Sequence, residues 1–198
     1  MRIVRLVLML GFLGPAGPLA AQRSWGIALE IGQVSFGGHA RSSDTPETWG
    51  HPSGTRTWGF RVDRTGHRVG LSLGILAGST GVEFENDQAA AEARNVLDLL
   101  ELAPEISVVV LQPREAAIRV HAGAVFDRWS PEGDNDRTSL GGLGALSIDV
   151  PFSSRLSVQV RWQLTLTGSV FDEDDLPPGF SRKSGRSERW VFGVRYGP

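Results

Sequence analysis

The feature that most constrains this chain is an alternation of apolar and polar residues at every second position, which recurs from Ser24 almost to the C-terminus. Leu156, Val158, Val160, Trp162, Leu164 and Leu166 form one face of a segment whose other face is Ser157, Gln159, Arg161, Gln163 and Thr165. Period two is the signature of a strand with unlike faces. The last segment repeats it, with Trp190, Phe192, Val194 and Tyr196 against Arg189, Val191, Gly193 and Arg195. Further strands run through Trp25 to Ile31, Trp58 to Val62, Val69 to Ile75, Ile118 to Phe126 and Leu146 to Val150. Asn95 to Leu111 is apolar in both registers and holds Pro104. It reads either as a bulged strand, preceded by a helical turn that Asp87 would N-cap, or as a helix continuing through Leu102.

The connections carry a second regularity. Gly37–Thr55, Thr80–Arg94, Ser130–Thr138 and Asp172–Ser187 are long, and Arg64–Arg68, Gln112–Ala116 and Pro151–Arg155 between them are short. In an antiparallel meander alternate connections lie at the same end. An all-β, up-and-down barrel of eight strands is therefore predicted, with long loops on one rim and short turns on the other.

Alternation alone does not say which face is inside, but glycine does. Gly26, Gly32, Gly59, Gly70, Gly74, Gly78, Gly123, Gly141 and Gly193 share the face that carries the charges, and Gly142 and Gly144 lie opposite. Glycine weakens a strand interior and needs a reason, which the narrow interior of an eight-stranded barrel supplies. The opposite face is too bulky for that interior. It must point outward, where water would make it an aggregation-prone patch and a bilayer would make it the lipid contact. The aromatics sort by height, with Phe36, Trp58, Phe126, Trp129, Phe171 and Trp190 toward the long-loop rim and Trp25, Phe152 and Tyr196 toward the short turns. Two such belts mark the interfaces of a transmembrane barrel.

This pattern resembles the small eight-stranded outer-membrane β-barrel proteins of Gram-negative bacteria, the class of the outer-membrane protein A transmembrane domain. The resemblance covers Ser24 to Tyr196 and is one of pattern rather than motif. It implies an outer-membrane monomer in contact with outer-membrane lipid and lipopolysaccharide. It also implies recognition by the barrel assembly machinery through Trp190, Phe192, Val194 and Tyr196, here followed by Gly197 and Pro198. Some barrels of the class modify lipids.

The N-terminus fits export. Arg2 and Arg5 flank the apolar run Leu6 to Leu13, which Gly14, Pro15, Gly17 and Pro18 end before Ala20 and Ala21. That is the order of a secretory signal peptide, giving residues 1–21 as signal and 22–198 as barrel. Losing Arg2 and Arg5 takes the net charge from −2 to −4. With 20 basic and 22 acidic residues and no basic stripe, no nucleic-acid surface is read, and the absence of cysteine excludes disulfides and thiolate chemistry.

By parity the lumen receives Glu30, Arg61, Asp63, Arg119, His121, Asp127, Asp149, Gln159, Arg161, Gln163 and Arg195. Buried charges must be paired, so these residues predict an ion-pair network that plugs the barrel, with a conducting pore as the alternative. His121 with Asp127 offers a weak hydrolase constellation, as do His39 and His51 beside Ser42, Ser43 and Asp44. Glu132, Asp134 and Asp136, then Asp172 to Asp175, are acidic but lack the spacing of a calcium loop. No catalytic residue, metal site or cofactor is assigned. The reading is a non-enzymatic barrel with a structural or surface role, meeting an unidentified ligand through its long loops. Its rivals are a lipid-modifying enzyme, a small pore or hydrophobic-ligand conduit, and a soluble lipocalin-like carrier.

Overall fold

The computed structural model describes residues 24–42, 47–66, 68–85, 90–113, 116–131, 136–171, 176 and 178–197. Residues 1–21, expected to be a signal peptide, and Ser43, Asp44, Asp87, Glu132, Asp134 and Asp172 to Asp175 lie outside them. Nine strands form a single antiparallel sheet: β1 (Ser24–Ser42), β2 (Trp49–Pro52), β3 (Thr55–Thr65), β4 (Val69–Glu85), β5 (Ala90–Leu111), β6 (Ala117–Pro131), β7 (Arg137–Pro151), β8 (Leu156–Thr167) and β9 (Phe180–Tyr196). Each barrel strand pairs with the next, and β9 returns to β1 from Ile27–Tyr196 to Ser42–Phe180, which closes the sheet. β2 and β3 occupy one position between the same neighbours, β1 and β4. The sheet is thus an eight-position barrel whose second position is interrupted at Ser53 and Gly54.

The short turns are as predicted by their length and are tied by backbone bonds, Gly66 N–H to Val69 O and Phe152 N–H to Leu156 O. The long connections are different from the expectation of loops. β1 runs to Ser42, β4 to Glu85, β5 begins at Ala90 and β9 at Phe180, so most of the first two long connections and half of the last are strand. Backbone groups there are satisfied by continuing the ladder.

β5 settles the ambiguous segment. Ala90 to Leu111 is strand throughout, with neither the helical turn before Asn95 nor the helix through Leu102. Pro104 makes no bulge. The β5–β6 register passes from Leu102–Phe126 to Glu105–Gly123 unshifted, and the irregularities fall instead at Thr80/Val82 and Val109/Leu111. Leu100, Ile106 and Val108 face outward, and Leu99, Glu101, Ala103, Glu105 and Ser107 face inward. Pairing on both sides supplies the register that composition left open.

The exterior is apolar around the barrel, through Ile27, Leu29, Ile31, Phe60, Leu71, Val120, Leu146, Val158, Phe192 and Val194. Of the residues expected in the belts, Trp25, Trp58, Phe126, Phe152, Trp190 and Tyr196 point outward. Phe36, Trp129 and Phe171 do not; they pack inside the mouth. The reason is parity, because Phe36 shares the face of Val34 and Trp129 that of Asp127, while Phe171 follows the end of β8.

Leu29 is 71% exposed on the apolar outer face of β1, between outward Ile27 and Ile31. Replacing it with Arg places a cation in hydrocarbon and is expected to lower stability by about 2–4 kcal/mol. Urea titration of the refolded protein in lipid vesicles measures this, and an unchanged midpoint would contradict an outward, lipid-facing Leu29.

Candidate functional site

The inward face is arranged in layers. Nearest the short turns, Arg195 holds Asp63 through Nε at 2.8 Å and Nη2 at 2.7 Å. Arg119 Nε donates to Asp149 Oδ2 at 2.9 Å, and Gln159 Nε2 to Asp149 Oδ1 at 2.6 Å. A polar cavity of about 90 Å³ lies among these pairs, Ser107 and His121. That is room for a few water molecules.

The central layer is built on Glu105, which sequence parity left unassigned. Its carboxylate takes Arg61 Nη1 on one oxygen and faces Arg161 Nη2 at 2.8 Å and His121 Nδ1 at 3.3 Å on the other. Arg61 also donates from Nε to Glu30 at 2.7 Å. A Cβ on Gly74 would sit 3.1 Å from Arg61 Nη2, so this glycine vacates the space in which the guanidinium lies. Above, Arg189 grips Glu101 with both terminal nitrogens at 2.7 Å, a fork geometry that only arginine offers a carboxylate. Arg161 Nη2 donates to Gln163 Oε1 at 2.9 Å, and Gln163 Nε2 to Thr165 Oγ1 at 3.1 Å. Asp127 is cross-strand from Glu101, and its Oδ1 has no hydrogen-bond partner among the described residues. All eleven residues expected in the lumen are thus on the inward face. Arg189, on the same polar face as Arg195 but not named among the lumen charges, joins them, and so do Glu101 and Glu105, which were unforeseen because β5 has no clean alternation.

The mouth is closed by carbon. Leu97, Leu99, Trp129, Ala40, Val170 and Phe171 are buried together, with Phe36, Val82 and Phe180 packed against them. Phe36 meets Trp129 edge-on with ring centroids 5.5 Å apart. The segment after β8 turns inward to make this plug, and His39 pins it. Val170 N–H donates to His39 Nδ1 at 3.1 Å, and Ser169 Oγ to His39 O at 2.8 Å. His39 sits at φ 70° beside Gly38 at φ 82°, in the bulge where β1 slips against β9. That left-handed backbone costs a non-glycine residue about 1–2 kcal/mol and turns the ring inward, against Gly185, where a side chain would collide with it. His39 lies above the outward aromatics, at a level where the exterior carries Arg41 and Ser181. Burial, then the charge of His51, lowers its pKa to about 4.

His121 does not meet Asp127. Its Nε2 is 2.9 Å from Ser147 Oγ, and its Nδ1 faces Glu105. His51 faces Glu85 at 3.2 Å and the Pro52 carbonyl at 2.9 Å. Among the described residues no cluster of three or more His, Asp or Glu is placed to hold a metal.

No protein-family model and no curated protein matches the sequence. Solved structures do. Neisserial surface protein A aligns with a TM-score of 0.60 at 12% identity, over 88% of this chain and 99% of that one. The outer-membrane protein OprG of Pseudomonas aeruginosa aligns at 0.55 and 10% identity, over 90% and 97%. This chain has the fold of the small outer-membrane β-barrels. The likeness is one of fold, and it agrees with the closed sheet and the apolar exterior.

Two outcomes follow from the geometry. Glu105→Gln leaves Arg61 and Arg161 buried without their shared countercharge and is expected to cost about 3–5 kcal/mol, read from urea unfolding in detergent; a loss below 1 kcal/mol would contradict the pairing. His39, held neutral when folded, takes up its proton near pH 6.5 when unfolded, so stability is full above pH 6.5 and falls as pH drops toward 4. The loss is expected to reach about 2–3 kcal/mol by pH 4.5, and to be smaller by that amount in His39→Asn, which tolerates the positive φ.

Proposed function

We propose that the protein is a closed, non-conducting and non-enzymatic barrel, exported by its cleaved N-terminal segment and oriented with its long-strand rim outward. Its role is structural or interactive: the strand extensions around Ala40, Trp49, Phe84 and Phe180 present a rigid surface to a ligand outside the cell. One observation carries this reading. Among the described residues the lumen holds paired charges through its middle and an apolar cluster at its mouth, an occupancy that favours a closed interior.

Ser147, His121 and Glu105 have the order of a nucleophile, a base and an orienting acid. Their surroundings favour structure over catalysis. Ser147 is fully buried in the barrel wall, and Glu105 is neutralised by two guanidiniums that compete with His121 for its charge. A nucleophile needs a path for substrate and donors for the developing oxyanion, whereas strand backbone around Ser147 is committed to the ladder with β6 and β8.

The test is made on outer-membrane fractions and on purified protein. The folded chain is expected in the outer membrane with a mobility that changes on boiling. In planar bilayers it is expected to give no discrete conductance steps, and no release of fatty acid from phospholipid or lipid A. Regular conductance steps would overturn closure, and turnover lost in Ser147→Ala would overturn the non-enzymatic role.

A further inference from the structure

β8 ends at Thr167, which pairs with Gly141 of β7 and Gly185 of β9. β7 begins at Arg137 and β9 at Phe180, so both extend above that level without β8 between them. Segment 168–171 turns from this interval into the mouth, where no ladder holds it. Its attachments come from three surrounding strands. His39 of β1 accepts Val170 N–H at Nδ1, and its carbonyl accepts Ser169 Oγ. Arg137 of β7 donates from Nη1 to Val170 O at 3.1 Å, and Arg182 of β9 from Nη2 to Ser169 O at 3.4 Å. Phe36 and Phe171 meet the imidazole edge-on, with centroids 6.4 and 6.3 Å away.

The bond at Nδ1 fixes the state of the ring. A ring nitrogen that accepts from an amide carries no proton, so His39 is neutral with its hydrogen on Nε2. A second proton would go to Nδ1 and set two N–H groups against each other. The imidazolium would then sit among carbon and charges of its own sign. Arg137 and Arg182 bracket the same segment, and His51 of β2 opposes a charge on His39. β5 and β6 present Leu97, Leu99 and Trp129. Among the described residues no carboxylate pairs with His39, since Glu85 of β4 faces His51 instead. Asp172 to Asp175, which continue the segment, lie outside the described residues.

We propose that His39 is an acid-operated latch: protonation at Nδ1 unseats segment 168–171 while the barrel ladder stays closed, and uncovers the apolar floor of Leu97, Leu99 and Trp129. That this floor opens to the outside of the cell rests on the orientation of the long-strand rim given above. Opening is local because no ladder bond has to break; the four bonds above and the burial of Val170 and Phe171 are what is given up. The direction in pH follows from linkage. His39 takes its proton at about 4 when the segment is seated and near 6.5 when it is free, so seating is full above pH 6.5 and is lost as pH falls toward 4.

Solution NMR of the refolded full chain in detergent micelles, titrated from about pH 7.5 to about pH 3.5, tests this. The Val170 and Phe171 amide resonances are expected to move together between pH 6.5 and 4, and the stacking contact of Phe171 with Phe84 to be lost. Ladder amides such as Val160 and Val194 are expected to stay in place. His39→Asn keeps the positive φ and can accept from Val170 without titrating, and is expected to abolish the transition. His51→Gln is expected to raise the proton affinity of His39 about threefold, and Glu85→Gln to leave the transition in place. A transition that persists in His39→Asn, as one driven by Asp172 to Asp175 would, overturns the latch. So do an absent transition, one that Glu85→Gln removes, an unmoved midpoint in His51→Gln, or ladder amides that move with Val170. A Val170 shift with the Phe171–Phe84 contact intact overturns the opening. Mobility on boiling reports folding of each variant, and conductance at neutral pH reports the closed reading separately, so failure of the latch is distinguishable from failure of that reading.

Discussion

Every other feature of this molecule depends on the pairing of β9 with β1. A sheet in hydrocarbon cannot leave an edge, because each unpaired N–H or C=O there would cost several kcal/mol. The β1–β9 ladder extends from Ile27–Tyr196 past the aromatic belt to Ser42–Phe180, so closure persists well above the bilayer. Closure creates an inside too narrow for bulk and an outside that must be apolar, and those two demands account for the alternation in each strand. They also explain where glycine is used, since Gly74 lies under the Arg61 guanidinium and Gly185 against His39.

Enclosing charge is the cost of this architecture, and pairing offsets it. Arg61, Arg161 and Arg189, from β3, β8 and β9, are held by carboxylates of β1 and β5, so the network also staples the wall across the lumen. Such networks contribute little net stability compared with apolar packing of equal volume, but each member is expensive to orphan. The mouth takes the other solution. Trp129, Leu99, Val170 and Phe171 exclude water with carbon, and a strained histidine backbone aims the one ring that fastens the inturned segment. Ion pairs thus fill the middle of the interior and carbon its mouth.

The face of each strand could be read from its residues wherever one parity was cleanly apolar. Leu156 to Leu166 and Trp190 to Tyr196 put Gln159, Arg161, Gln163 and Arg195 inside without ambiguity, and the structure has them there. The errors arise where height was considered without parity. Trp129 lies two residues from inward Asp127, and Phe36 two from buried Val34, so both were bound for the mouth rather than the lipid belt. β5 was opaque for a different reason. With Leu99, Leu100, Leu102 and Ala103 in succession it has no polar face to orient it, and so Glu101 and Glu105 could not be placed.

By itself the sequence determined the period, the glycine face and the alternation of long and short connections, and with them an outward-facing barrel. Those are local or pairwise regularities, written into the chain by the two-residue repeat of a strand. Tertiary structure decided what depends on partners distant in sequence. It chose the register of β5 through β4 and β6, joined Glu105 to Arg61, Arg161 and His121, and extended β1, β4, β5 and β9 into the long connections. It also made the bulge at His39 and drew the 168–171 segment into the mouth. None of these follows from periodicity, because the cost of an unpaired charge or an unsatisfied backbone group is only defined once the barrel has closed around it.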